Sequence, residues 1–291
     1  MERINAEVFT TIARLGSYRK AADALGYTQA GISYIVGSME EQAGFPLFVR
    51  EFGGVRLTAE GEVLLPHMQQ LYQQELAVKE QIENIRGLVK GHIRLISFNS
   101  VIVCWLPDIL RGFNEKYPGI DITVTTCEGP SQGIRMLLDG EADCGFLATD
   151  SSASDKINIY DLRLEPDVAV VAENHPMADA EVFPISEMSK YPFIGYPEDE
   201  APYVYKLARE KGIEFNQIMT MNNDYGHFSM ISENLGFGIY PRMIVENCRF
   251  PVKAIPIDFG SSTPISLGIR SYEKGSLCAK AFVDYVLGLD L

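Results

Sequence analysis

Over the first ninety residues the apolar positions recur at helical spacing. In "NAEVFTTIARLG" Val8, Phe9, Ile12, Ala13 and Leu15 share one face, and Gly16 ends the run. "SYRKAADALG" predicts a second, short helix with Ser17 as N-cap and Gly26 as stop. "TQAGISYIVGSMEEQAG" predicts a third, capped by Thr28, with Ile32, Ile35, Val36 and Met39 facing inward. "FPLFVREFGGVRLT" reads as a hairpin turning at Gly53-Gly54. From Thr58 to about Val89 a long helix is predicted, with Leu64, Met68, Leu71, Val78, Ile82, Ile85 and Val89 in steps of three and four, interrupted at Glu75. So long a seam on a lone helix calls for a partner helix, so a dimer is expected through it. Pro66 should kink this helix or sit near its start.

After "KGHIRLISF" the pattern changes to short strands alternating with helices. "IRLIS", "WLPDILRGFNEKYPG", "IDITVTT", "GIRMLLDGE" and "ADCGFLA" follow in βαβ order, which predicts an open α/β sheet. A second cycle begins near "DVAVVAE" and includes "PFIGY" and "GFGIYP". The chain closes on a strand and helix in "ISLGIRSYEKGSLCAKAFVDYVLGL". Some 200 residues of this kind leave room for two small lobes.

Composition narrows the class. At 291 residues and 46% hydrophobic, the chain suits a soluble protein of about two domains. No apolar run approaches the ~18 residues of a membrane span, and the opening "MERINAEVFTTIARLGS" has no signal-peptide core. Cys104, Cys127, Cys144, Cys248 and Cys278 are widely spaced without C-x-x-C, which suits a reducing cytoplasm. No metal site or cofactor is expected. Cys127 and Cys144, on predicted strands, read as small buried hydrophobes, and Trp105 reads as core. His67 and His92 read as surface, and His175 as a turn residue. The net charge is −14, of which residues 1–90 contribute only −2. An acidic chain argues against nucleic acid.

The motifs argue the other way. The second helix, a turn at "GY" and the third helix form a helix-turn-helix, whose second helix enters the major groove of double-stranded DNA. Its exposed start would carry Thr28, Gln29, Ala30, Ser33 and Tyr34. Gln29 suits an adenine edge or a phosphate, while Ser33 and Tyr34 suit phosphates. Ala30 is small enough for close backbone approach. Arg19 and Lys20 start the second helix beside phosphate, and Arg50 and Arg56 would make the hairpin a wing.

A second motif, G-x-S-x-G at Gly129–Gly133, lies between a predicted strand and helix. In a hydrolase Ser131 would be a nucleophile, with His227 or His175 as base, and the chain order Ser-Asp-His is allowed, for example through Asp224. Against this, the motif falls only about 40 residues into the α/β region and follows no Gly-rich oxyanion segment. The other reading makes Ser131 a helix cap facing a ligand.

The density of matches in residues 9–67 resembles the LysR-type transcriptional regulators. Their pattern is met by Gly16, Ser17, Ala21, Ala22, Leu25, Gln29, Ser33, Glu40, Gly44, Leu47, Phe48, Arg50, Leu57, Thr58 and Gly61. The later segments "GHIRLISF", "LLDGEADCGFL" and "ENLGFGIYP" keep the family's order. Ala30 stands where the family usually has proline, and Tyr34 where it has arginine. The resemblance implies a winged helix-turn-helix at 1–62 and a linker and dimerisation helix at 63–90. It implies an effector-binding domain at 91–291 with two Rossmann-like lobes, similar to periplasmic binding proteins. Lobe one would be 91–161 and 266–291, and lobe two 162–265.

Ligands of open α/β sheets bind beyond the carboxyl ends of strands. The expected effector contacts are therefore Ser97, Asn99, Ser100, Ser131 and Gln132, with Tyr196, Asp224, Tyr225 and His227 across the cleft. These loops are poor in Lys and Arg, which tilts the expected small molecule toward a neutral or aromatic one. The resemblance implies a homodimer or homotetramer acting on access of RNA polymerase. A binding protein that has lost DNA recognition stays open, on the acidic balance and Tyr34; so does the hydrolase.

Overall fold

The computed structural model describes residues 4–85, 90–198 and 200–291. They divide into two compact units, with residues 4–85 in one and 90–291 in the other. The end of the predicted long helix, including Val89, lies outside the described residues.

The first unit holds α1 (Ala6–Leu15), α2 (Tyr18–Leu25), α3 (Gln29–Ala43), β1 (Phe48–Glu51), β2 (Gly54–Leu57) and α4 (Ala59–Ile85). Side chains cap each of the first three helices. Asn5 accepts the Val8 amide at 2.9 Å, Ser17 that of Lys20 at 3.3 Å and Thr28 that of Gly31 at 3.0 Å. Each of these helices ends on a left-handed glycine, Gly16, Gly26 or Gly44. Val8, Phe9, Ile12, Ala21, Ala22, Ile32, Val36, Met39, Leu47 and Phe48 close one core. Glu40 locks the hairpin onto α3, accepting the Leu47 amide at 2.7 Å and that of Phe48 at 3.1 Å.

The hairpin turns at Phe52-Gly53, one residue before the expected pair. Gly53 takes φ +100°, whereas Gly54 opens β2. Gly54 is needed for closeness instead. A Cβ there would lie 2.5 Å from the Gly16 carbonyl oxygen, which accepts the Val55 amide at 2.9 Å. Gly61 plays the same part in the first turn of α4, where a Cβ would lie 2.4 Å from the Leu47 carbonyl oxygen. Gly61→Ala should therefore lower the stability of the first unit by about 1–2 kcal/mol, read as a shift of its urea midpoint. An unchanged midpoint would mean that α4 moves aside freely.

Thr58 caps α4 through the Gly61 amide at 3.0 Å. The helix runs on past Pro66, which lies well inside it, so the proline removes one amide donor without ending the helix. The apolar seam splits into two parts. Leu64 and Met68 pack into the unit's own core, while Leu71, Val78 and Ile82 remain exposed.

The second unit begins with β3 (Gly91–Ser97), α5 (Asn99–Cys104), α6 (Leu106–Lys116), β4 (Ile120–Thr126), α7 (Pro130–Leu138) and β5 (Cys144–Leu147). It continues through β6 (Asn158–Ala172), α8 (Ile185–Met188), β7 (Pro192–Gly195), α9 (Pro202–Glu210), β8 (Asn216–Thr220) and α10 (Asp224–Ser232). The last elements are β9 (Gly238–Pro241), α11 (Arg242–Glu246), β10 (Val252–Pro256), β11 (Ser262–Ile269) and α12 (Leu277–Leu287). β4, β3 and β5 are parallel, and β11 then joins β5 to β6 in antiparallel pairing. The second half of β6 pairs with β10 on one side and β9 on the other. A bridge from Phe193 to Phe237 brings in the parallel pair β7 and β8.

Thus β6 serves two lobes, its first half in one sheet and its second half in the other. Only the second half was visible as a strand in the sequence. Asp167–Ala172 is buried, whereas the first half is largely exposed, including Leu164. An exposed stretch lacks the apolar run that marks a buried strand. Around the shared strands each lobe keeps its own cores. One gathers Ile93, Leu95, Phe113, Phe146 and Phe282, and the other Phe183, Phe193, Phe237 and Ile239.

Candidate nucleic-acid interface and ligand cleft

In the first unit, α2, the turn and α3 form the helix-turn-helix, and β1 and β2 the wing. Thr28, Gln29, Ala30 and Tyr34 are exposed at the start of α3, Tyr34 to 77%, and Ser33 is half-buried. The Thr28 hydroxyl accepts the Gly31 amide as the helix cap, which leaves Gln29 as the exposed long polar side chain of the first turn. Arg19 and Lys20 are exposed at the start of α2. Arg50 and Arg56 are both exposed on the wing. The Arg50 guanidinium lies 5.8 Å from the Tyr18 ring centre, and Arg56 is paired with Glu51 on the facing strand. Phe52, fully exposed at the wing tip, was not anticipated. Its aromatic character in a turn was the signal available.

In the second unit a cavity of about 140 Å³ opens where the strand ends meet. Phe98, Asn99 and Ser100 reach it from the start of α5, and Thr126 to Gly129 from the loop before α7. Tyr196, Tyr203 and Val204 line it from β7 and α9, and Asn222 and Asp224 from the start of α10. Asp167 of β6 and Thr263 of β11 form the wall where the shared strands cross between sheets. Four of the nine expected effector residues therefore line it: Asn99, Ser100, Tyr196 and Asp224.

The others lie elsewhere. Ser97 is buried, its hydroxyl donating to the Phe98 carbonyl at 3.3 Å. Ser131 is exposed, and it is not the cap of α7: the cap position is Gly129, at φ +79°, with Pro130 following. A side chain at Gly129 would be strained, so the G-x-S-x-G glycine serves the backbone turn. The Gln132 side chain accepts the Glu128 amide and so holds the loop that lines the cavity. Tyr225 is exposed at 74% and packs edge-on against Phe250. His227 is buried behind Tyr196, their ring centres 4.6 Å apart. Neither of its nitrogens makes a well-formed hydrogen bond, although the Met221 backbone lies near, and burial drives its pKa down to about 4. His175 is also buried, in a turn, its Nδ1 accepting the Met177 amide at 3.1 Å. Neither histidine hydrogen-bonds Ser131, so no nucleophile–base pair is assembled among the described residues.

Two carboxyls dominate the cleft. Asp224 accepts the Tyr196 hydroxyl, and the Asn99 side chain also supports it; burial nevertheless raises its pKa. Asp167 accepts hydroxyls from Ser261 and, at 2.8 Å, Thr263, and burial raises its pKa too. Burial pushes the Cys127 thiol up to about 12 and Cys144 well above its ordinary value, as inert core thiols. Trp105 packs half-buried on lobe-one core residues, away from the cavity. Among the described residues no group of three or more His, Cys, Asp or Glu is placed for a metal, and no helix is long and apolar enough to cross a membrane.

Asp167, Thr263 and Glu128 were missed in the sequence. For Asp167 a signal existed: a carboxylate heading the wholly apolar run "VAVVA".

Known proteins share this arrangement. The chain is 25% identical over 286 residues to the HTH-type transcriptional regulator YvbU of Bacillus subtilis, covering 96% of this chain and 95% of that one. A full-length OxyR variant of Pseudomonas aeruginosa superposes with a TM-score of 0.76 at 15% identity, covering 97% and 93% of the two chains. Full-length CbnR in complex with its target DNA gives 0.69 at 20% identity, covering 97% of each. Residues 5–62 match the model of the bacterial regulatory helix-turn-helix proteins of the lysR family, and residues 86–289 that of the LysR substrate binding domain. With both of its parts so matched, the chain belongs to the LysR family of transcriptional regulators.

Proposed function

We propose that this regulator works as a cytoplasmic homo-oligomer, dimer or tetramer, rather than as an enzyme. Residues 1–62 bind double-stranded DNA, 63–90 pair two chains, and 91–291 bind a small effector. Lobe one comprises 91–161 and 266–291, and lobe two 162–265. The supporting observation is the cavity, lined by rings and carboxyls, where strand ends of both lobes converge on the crossing strands. A ligand held there shifts the lobes only as far as it binds one arrangement better than another. Through paired chains this alters the spacing of the DNA-binding units, and with it DNA bending and access of RNA polymerase. Gln29 reads bases; Arg19, Lys20, Ser33, Tyr34 and Arg50 touch phosphate.

The test is a gel-shift salt titration of the full chain on DNA from upstream of its own gene, against random DNA of equal length. Specific binding that weakens steeply with salt is expected. A folded oligomer that prefers no sequence, with and without candidate effectors, would instead support the binding-protein reading, which the −2 balance of residues 1–90 favours.

The wing supplies a second prediction. Glu51 neutralises Arg56 at the surface. Glu51→Gln should tighten DNA binding about two- to fourfold at low salt and steepen the salt dependence. No change in either would place Arg56 off the DNA.

A further inference from the structure

The ligand class can be read from the charges around the cleft, given that the cleft is the effector site. Glu128, Asp167, Glu200 and Asp224 all line the cavity, and no lysine, arginine or histidine does among the described residues. Phe98 at the start of α5 and Tyr196 and Tyr203 at β7 and α9 bring aromatic rings to the cavity. Cations are favoured both by carboxylates and by ring faces, most strongly where water is scarce. A cleft lined by one sign of charge also concentrates the opposite sign inside it.

Two of the helix starts at the cavity offer an anion little, although α5 opens there without a side-chain cap. At α10 the Asn223 side chain accepts the Gly226 amide at 2.7 Å, and Asp224 itself stands in the first turn. At α7 Pro130 has no amide hydrogen, and Gln132 accepts the Glu128 amide just ahead of it. What acts on Asp224 and Asp167, besides burial, is hydroxyl and amide donors and, for Asp167, the neighbouring Glu165. Arg163, the cation closest in sequence to Asp167, is paired with Glu165 at 3.0 Å. Both carboxyls therefore face the cavity without a protein counter-charge.

We infer that the cleft takes a small organic cation, a primary ammonium or an amidinium on an apolar body, with Asp224 and Asp167 as its counter-charges and Tyr196 and Phe98 as its stacking walls. The volume suits a body of about benzene size. The lack of bases read in the sequence as a tilt toward neutral ligands thus becomes, with Asp167 and Glu128 added, a preference for positive charge.

Benzylamine, benzamidine, benzyl alcohol and benzoate share one body and differ in charge, so calorimetric titration of the full chain with all four tests the inference. The two cations should bind at least about tenfold more tightly than the alcohol or the acid. Asp224→Asn and Asp167→Asn should each weaken the cations by about tenfold while leaving benzyl alcohol unchanged, which also reports an intact cleft. Glu115→Gln on α6, away from the cavity, should change nothing. An equal loss in that variant would reveal general attraction to an acidic protein and overturn the inference. Benzoate or benzyl alcohol binding as tightly as benzylamine, and lost in Tyr196→Ala, would overturn the cation preference but keep the effector cleft. Failure of all four to bind a folded chain would overturn both.

Discussion

A full chain carrying Leu71→Glu and Val78→Glu should run as a monomer and lose about 10²- to 10⁴-fold in affinity for its DNA site. The two side chains are 40% and 58% exposed, and Ile82, one turn beyond Val78, is 43% exposed. On the neighbouring face of the same helix, Tyr72 donates a hydrogen bond to Glu7 at 3.3 Å and Met68 is buried in the unit's core. The substitutions therefore fall on the face that the unit does not use for itself, and its fold should survive them. A single DNA-binding unit with few free cations binds weakly. Linking two on one duplex turns the second contact into an intramolecular one, which is the source of the expected loss. Sedimentation and gel shift on the same preparation check it. A variant that stays dimeric would move the interface elsewhere, and a monomer that binds as tightly as the parent would remove avidity from the account.

The first unit was legible because local signals and tertiary demands agree there. Ser17, Gly26 and Thr28 declare helix ends by chemistry that needs no distant partner. Gly54 was misread because its reason is not local. It is a glycine on account of the Gly16 carbonyl, which belongs to another element. The cleft shows the same division. Asn99, Ser100, Tyr196 and Asp224 could be found by looking at the turns where ligands of such sheets bind. Asp167 and Thr263 lie at the crossing of β6 and β11, two strands about a hundred residues apart in sequence. Only the pairing of those strands brings them to the cavity. Ser131 misled for the opposite reason. The motif is a real strand-to-helix turn, but Gly129 and Pro130 make it, and the serine faces solvent.

As pH drops from about 6.5 to about 4, His227 should remove roughly 2–3 kcal/mol from the stability of the second unit. The ring is enclosed by Tyr196 and by Tyr240, whose centroid lies 5.8 Å away, and it has no good partner for a second proton. Its folded-state pKa, about 4, is below the ordinary value of 6.5. Above pH 6.5 both folded and unfolded chains hold it neutral, and it adds no pH dependence. Between the two values the unfolded chain takes a proton that the folded chain refuses, so falling pH favours unfolding. Below pH 4 both are charged and the loss is complete. The raised carboxyls of Asp167 and Asp224 act in the opposite sense, since the folded state holds their protons more tightly than the unfolded one. The contribution of His227 is therefore read as a difference. Urea unfolding of the parent and of His227→Leu, each followed from pH 7.5 to 4.5, should show a gap that shifts in the variant's favour as the pH falls. Curves that stay parallel would mean that the imidazole is protonated without cost, and that the ring is not sealed behind Tyr196.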